Sequence, residues 1–425
     1  MNSMLKLFTT IFLLALSFKS SAQMVDKGEG GIFLLKGGQV YDHEEGLQGA
    51  DLLIKDGMIA EIGPALSHPE AKVVDCTGLE IYPGMIDSGT KLGLAEISSV
   101  SLTQDYREIG TFTPHMEALT AVNPSSVNIP VNRVNGVTTV LTVPSGGLFP
   151  GKAALINLHG YTPEQMYAGF KAPLLQFPSS GKRGRWDRRS EEDIKKDSDK
   201  ALKKLNKFWK SAQIYARLGK TDTYNPQMAA LIPVMTGESP LLLEVNKKSD
   251  ILNALAWVNK NKVDVIMTGL AEGYRVLDSL VKYDIPVITG PILDNPSRAS
   301  DKYDISYANA GKMQQAGLRV AIRTNETENV RNLPYNAGFA AAYGMGKKEA
   351  FKAITQVPAD LFGVGKAYGS LEKGKIANLF VTNGDPFETI TQVQHLFIRG
   401  WKVPLESRHT LLYDEFLERD PGLRK

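Results

Sequence analysis

Six histidines and one cysteine set the limits on the chemistry available to this chain. Cys76 stands alone, which excludes an intrachain disulfide, a thiolate zinc cluster and an iron–sulfur site, because each needs two or more sulfurs. Any transition-metal site must therefore be built from histidine and carboxylate. Ser145, in Pro144-Ser145-Gly146-Gly147, has no adjacent histidine or matched aspartate to activate it as a nucleophile. That segment and Phe149-Pro150-Gly151-Lys152 lack the spacing of a phosphate-binding P-loop. Arg275, Arg323 and Arg331 lie near the ends of apolar runs, where a guanidinium either holds an acidic ligand or covers a helix surface.

The elements that must position such groups come from 425 residues, enough for two or three domains or one large barrel with an appendage. With 43% hydrophobic and 22% charged residues the composition is that of a globular protein, and wholesale disorder is excluded. A net charge of +3 supplies no field for nucleic acid. The first 22 residues read as a signal peptide: one lysine within residues 1–6, an apolar run over 7–18 too short to span a bilayer, then Ser20-Ser21-Ala22. Cleavage near Ala22 predicts a periplasmic or secreted protein, with no transmembrane segment in the mature chain.

From 31 to 82 short β-type runs alternate with turn residues, and Asp56-Gly57 between two apolar runs signals a hairpin. The same style returns over 369–403, which predicts a small β-sandwich composed from both chain ends. Between them, continuous apolar runs at 81–87, 136–144, 241–245, 263–269, 285–290 and 318–324 alternate with helical stretches. Runs buried on both faces predict parallel βα units, hence an α/β fold with a TIM-like β/α barrel over 83–364. Ser249 and Asp250 are candidate N-caps for one of its helices. Residues 181–220 hold fourteen Lys/Arg against six Asp/Glu, with Leu202, Leu205, Phe208 and Trp209 at helical spacing. This basic insertion reads as an amphipathic helix packed on the barrel, or as a lid or partner-binding face. Residues 404–425 form a C-terminal tail.

Several segments carry a resemblance. Gly78-Leu79-Glu80-Ile81-Tyr82-Pro83-Gly84-Met85-Ile86-Asp87 resembles the entry into the first barrel strand of the amidohydrolase superfamily, and Gly136-Val137-Thr138-Thr139-Val140 resembles its second strand. Arg331-Asn332-Leu333-Pro334-Tyr335, with Glu349-Ala350 and Pro358-Ala359, is similar to the last barrel helices. Gly369-Ser370-Leu371-Glu372-Lys373-Gly374-Lys375-Ile376-Ala377-Asn378-Leu379 is similar to the return to the sandwich, in the style of the imidazolonepropionase-like branch.

The resemblance implies hydrolysis of C–N bonds by one or two divalent metals, which lower the pKa of bound water towards about 7. It also implies ligands: a His-x-His pair ending strand one, two later histidines, a strand-eight aspartate and sometimes a bridging Lys or Glu. At those positions this chain has Gly89 and Lys91, then Glu244, with no histidine near Met267-Thr268-Gly269, and Asn325 in place of the aspartate. Glu272 matches a carboxylate that starts a helix or supports the site, and Glu326 replaces Asn325 if the register moves by one.

The histidine census agrees. His43, His68, His395 and His409 fall in the sandwich or tail, leaving His115 in a loop and His159 at a strand end. The barrel-mouth candidates are thus Lys91, His159, Glu244, Glu272, Asn325 and Glu326, and a Lys91–Glu244 ion pair is expected to fill the place of the metal. The leading expectation is an exported pseudoenzyme with no cofactor, acting as a small-molecule binding protein or supporting a partner. That partner is a second copy or an active amidohydrolase paralogue. The alternative is a hydrolase of cyclic amides, ureas, acyl amino acids or dipeptides with an atypical site of Glu244, Glu272, Glu326 and His159, which alone would call for zinc.

Overall fold

The computed structural model describes residues 28–182, 187–219 and 224–419. The proposed signal peptide lies outside these residues, as do parts of the basic insertion.

Both chain ends contribute to one hydrogen-bonded sheet of eight strands. Its longest member, Phe33–Asp42, pairs antiparallel with Gly46–Lys55 and parallel with Lys72–Asp75 and Glu80–Pro83. Leu379–Thr382 pairs with Glu80–Pro83 and carries Val393–Ile398 and Trp401–Val403 behind it. The Asp56-Gly57 turn has positive φ at both residues, as a two-residue hairpin requires. Phe33, Leu35, Leu52, Ile54, Ile81, Leu379 and Phe397 form a core of its own inside this sheet.

The second sheet is a nearly closed barrel of eight strands: Met85–Thr90, Val137–Thr142, Gly151–Asn157, Tyr167–Gln176, Leu241–Val245, Val265–Gly269, Val287–Thr289 and Val320–Ile322. All six residues of the first and of the second strand are buried, which explains their continuous apolar character. The expected all-parallel arrangement fails at one place: the third strand runs antiparallel to both neighbours. Only residues 143–150 connect the second strand to it, fewer than the dozen or so that a parallel crossover needs.

Strands one and eight meet without a ladder. Buried Asp87 accepts hydrogen bonds from the Thr324 hydroxyl and from the backbone N–H groups of Thr324 (3.2 Å) and Gly89 (3.0 Å). The Asn325 N–H donates to Gly89 O at 3.0 Å, and the Lys91 N–H to Glu326 O at 3.2 Å. Burial pushes the Asp87 carboxyl up to about 6, against these donors, which favour its ionised form.

The insertion folds as a 28-residue helix, Glu191–Leu218, capped by Ser190. Its Leu205, Phe208 and Trp209 are buried against the barrel, Phe208 stacking on Phe112 and Trp209 meeting Trp257 edge-on. The tail contains a helix, Arg408–Arg419. Among the described residues no helix is long and apolar enough to cross a membrane.

Candidate functional site

The C-terminal ends of parallel barrel strands are where this architecture gathers its functional groups. Here those ends carry a chain of polar contacts. The Gly146 N–H donates to Gln176 Oε1 (3.1 Å), and Gln176 Nε2 donates to Glu244 Oε2 (3.0 Å). Glu244 Oε1 receives Arg323 Nη2 at 3.0 Å. Arg323 also donates to Thr268 Oγ1 (2.9 Å) and Gly290 O (3.2 Å), so one guanidinium ties strand eight to strands five, six and seven.

Arg323 reaches Glu244 by crossing Gly89. A Cβ at position 89 would lie 2.9 Å from Arg323 Cδ, so glycine leaves the room that the arginine stem fills. Glu244 therefore pairs with Arg323 and not, as expected, with Lys91. Arg323 has the shorter, better-aligned reach, because it lies on the closing strand beside Gly89 and its fork offers several donors at once. Burial raises the Glu244 pKa, but Arg323, Gln176 and Lys91 outweigh it and hold the carboxyl below its ordinary value.

Lys91 sits beside this pair with its ammonium 4.6 Å from the Tyr106 ring centroid. Burial draws its pKa below the usual lysine value; Arg323 and Arg107 add to the effect and Glu244 opposes it. Next to the ion pair opens a cleft, its wall formed in part by Asn246, Asp294, Asn295, Ser297 and Ser306.

Of the remaining candidates, Asn325 lines this cleft with Glu244 and Arg323, and the others lie apart from it. Glu272 is fully buried: it receives Arg298 through two hydrogen bonds of 2.6 and 2.7 Å and accepts the Lys248 N–H at 2.8 Å. It thus serves the first turn of helix Lys248–Asn261, a role expected of Ser249 or Asp250; the Asp250 carboxylate instead accepts from Ser180. Burial raises the Glu272 pKa, and Arg298 with the Lys248 N–H more than reverses it. Asn325 and Glu326 are exposed and join the seam through their backbones. Asn325 has φ of 56°, a left-handed conformation that asparagine tolerates better than most residues. Arg275 pairs with Asp301, and Arg331 bonds to Glu328 O and Asn329 Oδ1, so both serve local structure.

His159 is at the opposite end of the barrel. The third strand runs backwards, so its last residues lie level with the start of strand two, where the Leu158 N–H donates to Thr138 O. There the imidazole lies 5.4 Å from the Trp401 ring of the terminal sheet. Arg323 is the residue that sequence reasoning underrated, since nothing near it in the chain shows that Gly89 clears its path.

The donor set at the mouth does not suit a divalent cation. A guanidinium crosses the place above Gly89, an ammonium follows at Lys91, and the Glu244 carboxylate is taken by Arg323 and Gln176. Among the described residues no three His, Cys, Asp or Glu side chains are grouped to hold a metal.

A barrel with its mouth at the strand ends and a companion sheet from both termini defines a β/α-barrel fold with a composite second sheet. The model of the Amidohydrolase family matches residues 280–403. Over 372 residues the chain is 22% identical to Amidohydrolase tasK of Hapsidospora irregularis, covering 79% of this chain and 38% of that protein. A shorter match, 37% over 89 residues, links it to D-hydantoinase of Geobacillus stearothermophilus, covering 21% of this chain and 18% of that one. The chain therefore spans about two fifths or less of these relatives. An amidohydrolase structure from Thermotoga maritima MSB8 superposes with a TM-score of 0.77 at 22% identity, covering 88% of this chain and 99% of that one. Molinate hydrolase gives 0.54 at 15% identity, covering 89% and 95%. The chain thus shares the fold of solved amidohydrolases, and its residues 280–403 match the Amidohydrolase family model.

Proposed function

We propose that this is an exported binding protein on the amidohydrolase fold, with the Arg323–Glu244 pair standing where the superfamily's metal chemistry would be. The observation that carries this reading is the arginine stem crossing Gly89 to reach Glu244. A metal bound there would face two fixed cations before meeting its first ligand. Export rests on residues 1–22, and Gln23 as the mature N-terminus is the expected result of N-terminal sequencing.

The test is elemental analysis of protein purified from zinc- and manganese-supplemented cells, combined with hydrolysis assays on dipeptides, acyl amino acids and cyclic amides. Substoichiometric metal and no turnover are expected. One equivalent of zinc whose removal abolishes hydrolysis would overturn the reading. A C–N hydrolase, the second reading, draws its support from the relatives' names, Amidohydrolase tasK and D-hydantoinase. It would have to work through Glu244, since Glu272 is bound to Arg298 and His159 lies at the far end. Turnover lost in Glu244→Gln would favour it.

A further inference from the structure

Three cations converge on the mouth with one carboxylate among them. Lys91 Nζ lies 4.6 Å and Arg107 Cζ 5.9 Å from the same Tyr106 ring centroid, so one aromatic ring serves two positive groups. Arg323 lies across Gly89, two positions before Lys91. Glu244 has both oxygens engaged, one by Arg323 and one by Gln176. Among the described residues neither the Lys91 ammonium nor the Arg107 guanidinium has a hydrogen-bonded or ion-paired partner. Arg323 uses three of its five N–H groups on Gly290, Thr268 and Glu244, so two remain. Cations in excess over their counter-charges, two of them partly buried, make a field that draws in an anion.

We propose that the barrel mouth is a binding site for a small carboxylate, held by Lys91, Arg107 and the spare N–H groups of Arg323. This rests on the reading of the site as one without a metal. The uncharged part of the ligand lies in the neighbouring cleft, against the amides and hydroxyls of Asn246, Asn295, Ser297 and Ser306. A singly charged carboxylate fits better than a phosphate dianion, because Glu244 at the mouth and Asp294 in the cleft would repel the extra charge. The superfamily's cation site has thereby become an anion site of the same architecture.

The experiment uses full-length mature protein whose lysines are reductively methylated with ¹³C, with the Lys91 NMR signal assigned by its loss in Lys91→Arg. Propionate, its neutral isostere propionamide and inorganic phosphate are titrated in turn at constant ionic strength. Propionate is expected to move the Lys91 signal saturably and propionamide to leave it in place. Arg107→Gln, a change at an exposed residue, is expected to weaken propionate about tenfold, the equivalent of one charge-assisted contact. An equal response to propionamide, no saturable response to propionate, or tighter binding of phosphate would overturn the proposal. Metal content measured on the same sample keeps the two readings apart. A metal-free protein with an unresponsive Lys91 overturns only the carboxylate site, whereas stoichiometric zinc overturns both.

Discussion

At the foot of the barrel, where it meets the terminal sheet, a cluster of neutral side chains around Asn157 and Asn378 satisfies its own polar groups; at the mouth the clustered groups are charged and leave donors over. The foot is organised by two asparagines. Asn378 Nδ2 donates to Asn157 Oδ1 (2.8 Å) and Thr139 Oγ1 (3.1 Å), while its Oδ1 accepts the Arg399 N–H (2.7 Å). Asn157 Nδ2 donates to the Tyr368 hydroxyl at 3.1 Å. A network completed inside protein holds one arrangement and offers nothing to a ligand. The mouth keeps an ammonium, a guanidinium and two further N–H groups without protein acceptors, so its arrangement is finished by something that arrives from solvent. Position along the same strands thus separates the part that secures the fold from the part that can bind.

The largest effect expected from this contrast is at the foot. Asn378→Leu removes the bonds donated to Asn157 and Thr139 and the one accepted from Arg399, leaving the Arg399 N–H without a partner and Asn157 Oδ1 with the Thr139 hydroxyl alone. At about 1 kcal/mol for each donated bond lost and about 1–3 kcal/mol for the stranded N–H, the loss should be about 3 kcal/mol, read as a lower urea midpoint at unchanged slope. A cost below about 1 kcal/mol would mean that the foot is no more tightly organised than the mouth.

Next in size is a pH dependence from the seam between strands one and eight. The Asp87 carboxyl is raised to about 6 in the folded protein, chiefly by burial, from 3.8. Between pH 4 and 6 the native state therefore holds a proton that the unfolded chain has released. Stability contributed by this group falls as pH rises through that window and is level above it, by up to about 3 kcal/mol in all. Glu244 and Glu272, whose pKa values are lowered, act in the opposite sense at more acidic pH. The informative quantity is thus the difference from Asp87→Asn, which should lose the descending limb in urea titrations at successive pH values. Parallel curves for the two proteins would show that Asp87 ionises normally.

Much of this organisation is legible in the sequence, and the losses have physical causes. Strands buried on both faces announce themselves as unbroken apolar runs, and the helix carrying Leu205, Phe208 and Trp209 by its spacing. The reversal of the third strand is not visible in its own residues, since Gly151–Asn157 is nearly as buried as the barrel's first two strands. Its only trace is the short link over 143–150, and reading that link would have moved His159 from the mouth to the foot. The Arg323–Glu244 pair is harder still. It depends on a void at Gly89, and a missing side chain indicates neither what fills the space nor from which strand.

That void supplies the smallest and most specific effect. Gly89→Ala places a methyl 2.9 Å from Arg323 Cδ, closer than carbon atoms sit without one of them moving. The stem is flexible, but its guanidinium is pinned to Gly290, Thr268 and Glu244, so the displacement stretches hydrogen bonds at the far end. Because Glu244 is partly open to solvent, water replaces some of what is lost and the cost should be about 1 kcal/mol. If the arginine is the reason for the glycine, the penalty belongs to the pair: in an Arg323→Ala background Gly89→Ala should cost nothing measurable. A double-mutant cycle in urea then gives a coupling of about 1 kcal/mol. A Gly89→Ala penalty that persists without the arginine would place the constraint in the first strand's backbone, and the mouth's charge pair would lose its claim on that position.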